Sequence, residues 1–249
     1  MAKRLLDIEN LEVGFNVYGG YLKVLNGVFF NMDEGEKVGL VGETGCGKTT
    51  TAKSVLKILP DPPARTTGGK ILFKGRDILT MKKNEIREIH AREISMIFQD
   101  PTAALNPVFT IGDQLRTAIK YSNLHDNMPR NEIRERAVQA LKEVRLPDPE
   151  RLLESYPIQL SGGMRQRICI AMALATRSTL LVADEPTTSL DVTIQDQVLR
   201  LLGTLIKEKG TSTILITHSL GLVREWTQRV YVMYAGVMVE TADTVELFR

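Results

Sequence analysis

The stretch Gly42-Glu43-Thr44-Gly45-Cys46-Gly47-Lys48-Thr49 constrains the fold more than any other part of the chain. It fits the pattern G-x-x-x-x-G-K-[ST], and its flanks supply the context that pattern needs. The apolar run EKVGLV before it predicts a strand, and TTAKSVLKIL after it predicts a helix. A strand must therefore pass into a helix through a glycine-rich turn. Glycines there let backbone N–H groups converge on phosphate oxygens without side-chain clash. The following helix N-terminus adds positive potential. Lys48 is expected to reach the β- and γ-phosphates of a nucleotide, and Thr49 to place its hydroxyl on Mg²⁺. The phosphate-contacting set is Gly42, Glu43, Thr44, Gly45, Cys46, Gly47, Lys48, Thr49 and Thr50.

Further short β-like runs are Ile71–Phe73, Ile94–Phe98, Leu180–Ala183 and Thr213–Thr217, with Lys37–Val41 already in the loop's approach. Val230–Tyr234 and Val237–Glu240 bracket Ala235-Gly236 and read as a hairpin. Between the runs lie amphipathic helices. Val198, Leu201, Leu202, Leu205 and Ile206 share one face, and Ile133, Ala137, Leu141 and Val144 share another. Buried strands alternating with such helices imply a mainly parallel sheet covered by helices. Residues 101–160 carry no β run and are punctuated by six prolines, so they read as a helical insertion.

Length and charge narrow the class. A chain of 249 residues suits one large domain or two small ones. A net charge of +2 gives no electrostatic case for nucleic acid. No apolar run approaches the ~20 residues that span a bilayer; the best candidate, Ile168–Ala175, is far too short. The N-terminus meets Asp7 and Glu9 at once, without a signal-peptide core, so a cytoplasmic location is expected. Cys46 and Cys169 do not suggest a disulfide framework there.

Leu180-Leu181-Val182-Ala183-Asp184-Glu185 is a buried-type strand ending in two carboxylates. In the company of the glycine loop, Asp184 is expected to hold Mg²⁺ and Glu185 to polarise an attacking water. The stretch LSGGMRQR, residues 160–167, then narrows a broad class. Two adjacent glycines weaken a helix start by roughly 1 kcal/mol each relative to alanine. Taken with the order of the other motifs, the stretch closely resembles the signature of ATP-binding cassette (ABC) ATPases.

That resemblance implies a P-loop NTPase fold with a mainly parallel core sheet, an antiparallel β region and a helical subdomain. Residues 1–249 would form one nucleotide-binding domain, with residues 101–160 as the subdomain. It implies that Ser161, Gly162 and Gly163 bind the γ-phosphate of ATP held by an opposite subunit. Gln99, in SMIFQDP, matches the glutamine that senses the γ-phosphate and Mg²⁺ and adjoins the transporter contact. Ser189-Leu190-Asp191 matches the loop that crosses the dimer interface, and His218 matches the switch histidine. The family stacks an aromatic on adenine; Phe15 has the best spacing, with Tyr18 and Tyr21 as rivals. Arg165 and Arg167, on the helix behind the signature, are expected to make structural ion pairs.

The resemblance covers essentially the whole chain. MIFQDPTAALNPVFTIGDQL, YPIQLSGGMRQRICIAMALA, ADEPTTSLDVTIQDQ and VMYAGVMVE look like oligopeptide/dipeptide importer ATPases, and GGMRQR is similar to the first of that family's two ATPase subunits. Nickel and oligosaccharide importers share the subfamily. The implied partners are a second ATPase subunit (heterodimer favoured, homodimer open), two permease chains and, indirectly, an external solute-binding protein. The implied location is the cytoplasmic face of the membrane. Three residues depart from the common pattern: Ile158 for histidine, Arg145 for glycine and Ser219 for aspartate. Many members continue past VELF into an extension, sometimes with a cysteine cluster holding iron–sulfur; this sequence ends at Arg249, and neither cysteine fits such a cluster. A DNA-repair or chromosome-structure ATPase would carry a long coiled coil between P-loop and signature. Only 113 positions separate Lys48 from Ser161, without sustained heptads. A non-catalytic nucleotide-binding regulator is disfavoured by Lys48, Glu185 and His218 all being present.

Overall fold

One sheet is antiparallel throughout, whereas the parallel strand pairing elsewhere is joined at an edge by an antiparallel hairpin. In the computed structural model, which describes residues 3–123, 128–176, 178–187 and 190–249 (Val192 and Thr193 by backbone only), the chain divides into two compact units. One comprises Met1–Arg87 with Ser212–Arg249, the other Glu88–Thr211.

The first unit opens with β1 (Arg4–Val17) and β2 (Gly20–Asp33), an antiparallel pair joined by Tyr18-Gly19. Neither was marked as a strand run by the sequence. The register shifts repeatedly along the pair, so the alternation of apolar and polar residues breaks at each irregularity. Leu6, Ile8, Leu11 and Val13 of β1 and Leu25, Val28, Phe30 and Met32 of β2 are nevertheless fully buried. Next come β3 (Lys37–Gly42), α1 (Lys48–Val55), β4 (Ala64–Phe73), the short β5 (Arg76–Asp77) and α2 (Lys83–Arg92). The strand order β2-β1-β4-β5 makes an antiparallel sheet. Helix α1 stops sooner than the sequence pattern implied: Leu56 caps it and Lys57 takes a left-handed φ of 52°.

The second unit contains β6 (Ile94–Ile97), α3 (Pro101–Ala104), α4 (Ile111–Ser122), α5 (Arg130–Glu143), α6 (Pro149–Leu153), α7 (Gly162–Ala175), β7 (Leu180–Asp184) and α8 (Val192–Lys209). Strands β6 and β7 pair in parallel. Between residues 101 and 160 every described element is helical, including a 3-10 turn at Pro157–Gln159. Helix α4 buries Ile111, Leu115 and Ile119 at fourfold spacing, and α5 buries Ile133, Ala137 and Leu141. On α8 the face of Val198, Leu201, Leu202, Leu205 and Ile206 is buried. Burying each such side chain contributes about 1.5–3 kcal/mol, which outweighs any propensity difference along the helix.

The chain then returns to the first unit with β8 (Ser212–Ile216), α9 (Leu220–Trp226), β9 (Arg229–Tyr234), β10 (Val237–Asp243) and α10 (Thr244–Leu247). β3 lies between β8 and β9 and is parallel to both, and β10 folds back on β9 as the hairpin expected. Arg229 fastens this sheet to β2: its guanidinium forks onto both Glu36 oxygens at 2.9 Å and donates to the Asn31 carbonyl at 2.9 Å. The Phe30 and Tyr231 rings pack at a centroid separation of 4.5 Å. Among the described residues no helix is long and apolar enough to cross a membrane.

Candidate functional site

The glycine loop joins β3 to α1, as the sequence implied. Its shape is fixed by residues nearly two hundred positions away. Gly42 has φ of 154°, and a Cβ there would stand 2.1 Å from the Met233 carbonyl oxygen of β9. A Cβ on Gly47, at φ 113°, would fall 2.7 Å from Leu25 of β2. Gly236, in the turn of the β9–β10 hairpin, donates its N–H to the Cys46 carbonyl at 2.9 Å, and its own carbonyl accepts from Asn26 N–H at 2.9 Å. The hairpin turn thus clamps the loop against β2. Sequence reasoning found the hairpin but not this role, because no local signal links Gly236 to Cys46.

Lys48 is buried and folds back over the loop, donating to the carbonyls of Gly42 at 2.9 Å and Glu43 at 2.8 Å. The ammonium is thereby held at the centre of the loop. A helix leaves the N–H groups of its first turn outside its own i→i−4 ladder, and in α1 these belong to Lys48, Thr49 and Thr50. The first closing bond is Thr51 N–H to Gly47 O at 2.9 Å. No acidic residue stands in that turn, so the positive end of the helix is not neutralised locally. In the parallel register Leu40 pairs with Ile216, which sets His218 level with Gly42 at the carboxyl end of the adjacent strand. His218 is exposed there.

The second unit repeats this geometry with different chemistry. Ile97 of β6 pairs with Ala183 of β7, so Gln99 and Glu185 each stand two residues beyond a matched pair. They meet: Gln99 Nε2 donates to Glu185 Oε2 at 3.2 Å. Asp184, the last residue of β7, is buried. Glu185 has φ of 43°, a left-handed conformation that costs a non-glycine residue about 1–3 kcal/mol and turns its side chain off the strand line. Such strain clusters where a side chain must be aimed.

Ser161 is the N-cap of α7, its hydroxyl accepting from Met164 N–H at 3.3 Å. The two glycines behind it differ. A Cβ on Gly162 would make ordinary contact with Leu190 at 3.4 Å, whereas one on Gly163 would lie 2.8 Å from Ile194 Cγ2 of α8. Gly163 therefore has a packing reason within its own chain, which the resemblance did not imply. Asp191 is exposed at the start of α8 and makes no side-chain cap there. Ser189 lies outside the described residues. The expected ion pairs of Arg165 and Arg167 do not form among the described residues. Arg167 donates to the Arg145 carbonyl at 3.3 Å and the Gln197 amide oxygen at 3.4 Å, neutral acceptors that its long side chain reaches first. Arg165 buries its Nε with no hydrogen-bond partner among the described residues.

Of the three aromatics near the first turn, Phe15 is half-buried in β1 and Tyr18 is wholly exposed at the turn. Tyr21 lays its ring on the bare backbone of Gly14, where a Cβ would come within 2.3 Å of it.

A phosphate loop after one parallel strand and an acidic pair after another define a nucleotide-hydrolysing α/β protein. The chain belongs to the ABC transporter family, whose model matches residues 25–188. It is 49% identical over 247 residues to a probable peptide ABC transporter ATP-binding protein of Sinorhizobium fredii, covering 99% of this chain and 73% of that one. It is 44% identical to the oligopeptide transport ATP-binding protein of Bacillus subtilis, covering 98% of this chain and 68% of that one. Among solved structures it is similar to a dimeric ATP-binding cassette in a post-hydrolysis state bound to ADP and Pi. The TM-score is 0.85 at 25% identity, covering 96% of this chain and 99% of that one.

Proposed function

We propose that this chain is the ATP-hydrolysing subunit of an ABC importer and that it powers uptake of oligopeptides or dipeptides through partner permeases. The observation that carries the peptide reading is its identity of 44–49%, over nearly its whole length, to proteins named for peptide and oligopeptide transport.

Lys48 and the first-turn N–H groups of α1 bind the β- and γ-phosphates of ATP. The donor set suits Mg²⁺, since the Thr49 hydroxyl and the Asp184 carboxylate are hard oxygen ligands. When bound, Mg²⁺ neutralises charge on the transferred phosphoryl group. Glu185 orients and deprotonates the attacking water, and Gln99, bonded to it at 3.2 Å, couples that carboxylate to the segment leading into the helical region. His218 holds the γ-phosphate and water geometry. Ser161, Gly162 and Gly163 serve the nucleotide of an opposite ATPase subunit, with Asp191 at the interface. Phe15 stacks on adenine. The dimer we favour is a heterodimer with a second ATPase subunit.

Permease docking is supported by the second unit's surface. Ile111 N–H donates to the Ser155 carbonyl at 2.9 Å, which sets residues 108–111 beside residues 155–158. Val108, Phe109 and Ile158 flank that bond at 71%, 52% and 82% exposure. Apolar side chains gathered at such exposure mark a surface that a partner covers. Docking there would hold the chain peripherally at the cytoplasmic face.

The test is transport by vesicles carrying the chain, its second ATPase subunit, the permeases and the binding protein. Labelled oligopeptide should accumulate with ATP, and a Lys48→Ala chain should abolish accumulation. Accumulation of Ni²⁺ or an oligosaccharide in place of peptide would contradict the cargo assignment.

A further inference from the structure

Helix α7 carries a feature that the roles above do not use. Gln166 is 0% exposed, and neither its amide nitrogen nor its amide oxygen has a hydrogen-bond partner among the described residues. A buried amide left unpaired is unfavourable, whereas an apolar side chain of the same shape would carry no such penalty. Packing alone therefore does not account for glutamine at this position.

The helix positions one turn to either side show which segments pack along this stretch of α7. On a helix, residues three and four apart share a face. One turn before Gln166 lie Gly162, against Leu190, and Gly163, against Ile194. One turn after it lies Cys169, whose thiol is pushed up to about 12 by burial and, second, by the nearby Asp100 carboxylate. Asp100 follows Gln99 and caps α3, accepting from Thr102 N–H at 2.8 Å, and α3 packs on α7. The face centred on Gln166 is thus bordered on one side by the segment that follows Gln99. On the other it is bordered by the segment from Leu190 into α8, which begins with Asp191. An amide has two donor hydrogens and an acceptor oxygen, so one glutamine has enough bonding groups to serve both segments.

We propose that Gln166 is a positioning residue: its amide is idle in this conformation and, when the nucleotide-bound dimer closes, bonds to the segments beginning at Asp100 and Leu190, fixing Gln99 and Asp191 for hydrolysis. The unpaired amide weighs against the present conformation and in favour of any state that satisfies it. This inference rests on the ATPase reading above.

The experiment replaces Gln166 by Met, similar in length and unbranched, and separately by Leu. Thermal unfolding of the purified chain, and Mg-ATP turnover of the chain mixed with its second ATPase subunit, are then measured, with Lys48→Ala as the inactive control. Removing an unpaired amide should leave Tm equal or higher. KM for Mg-ATP should stay within about twofold while kcat falls at least about tenfold, the pattern of an interaction made only on the way to the transition state. An unchanged kcat overturns the inference and leaves the ATPase reading standing. So does a Tm that falls together with kcat in both variants, since the amide would then be supporting the resting fold. Wild-type turnover no higher than that of Lys48→Ala would defeat both.

Discussion

The paired glycines after Ser161 separate two kinds of constraint. In Gly163→Ala the new methyl would lie 2.8 Å from Ile194 Cγ2. Carbon atoms pack at about 3.5–4.0 Å, so close to 1 Å of overlap must be relieved. The opposing atom is a branch methyl on a half-buried side chain, so relief requires displacing Ile194 or the start of α8. Overpacking of this kind costs about 1–3 kcal/mol, and alanine's better helix propensity returns up to about 1. In Gly162→Ala the methyl meets only the flexible end of Leu190 at 3.4 Å, so the propensity gain stands largely alone. The two variants should differ in stability by about 2 kcal/mol, or roughly 4–8 °C in Tm for a chain of this size. Urea and thermal unfolding of both, with Ile194→Ala and the Gly163→Ala/Ile194→Ala double variant, make the assay. The double variant should recover much of the loss, a coupling of about 1–3 kcal/mol. Equal stability of the two glycine variants, or strict additivity with Ile194→Ala, would refute the packing argument. ATP turnover should fall in Gly163→Ala, because displacing Ile194 or the start of α8 shifts the turn that presents the signature to the opposite nucleotide.

Ser161→Arg should leave nucleotide affinity of the isolated chain nearly intact and block hydrolysis, with about 1 kcal/mol lost from the missing cap; a collapse in affinity would contradict action on the opposite subunit's nucleotide. Lys48→Ala should weaken ATP binding or abolish turnover, checked by titration calorimetry and phosphate release. Asp113 is held below its ordinary value near 3.8, chiefly by the Thr110 hydroxyl and then by Arg116. A depressed carboxylate stabilises the fold above its unfolded value, and that contribution disappears as pH falls through the lower folded value. Asp113→Asn should therefore flatten the decline of Tm below about pH 4, by a small amount because the group is exposed and screened; an unchanged acid limb would contradict it.

What could be read from the sequence was what is local. The strand, glycine loop and α1 are contiguous, and their residue types leave one arrangement open to them. The apolar face of α8 and the β9–β10 hairpin are equally short-range patterns. β1 and β2 escaped notice because their register shifts hide the alternation that marks a strand. The clamp of Gly236 on Cys46, the 3.2 Å bond between Gln99 and Glu185 and the crowding at Gly163 depend on strand register and helix packing. Those are tertiary facts with no signal at the residues themselves. Gln166 stood in plain view within LSGGMRQR, but only its burial without a partner distinguishes it from any polar helix residue.

The central claim is that Glu185 drives ATP hydrolysis by this chain, and Glu185→Gln tests it most directly. The substitution keeps a hydrogen-bonding side chain able to accept from Gln99 but removes the base. The measurement is single-turnover cleavage of Mg-ATP, alongside nucleotide affinity, for the wild-type and Glu185→Gln chains mixed with the second ATPase subunit. Loss of a general base costs about 10²–10⁴-fold in rate, so cleavage should fall by that factor while ATP remains tightly bound and the pair accumulates in solution. Cleavage by Glu185→Gln at the wild-type rate would contradict the account.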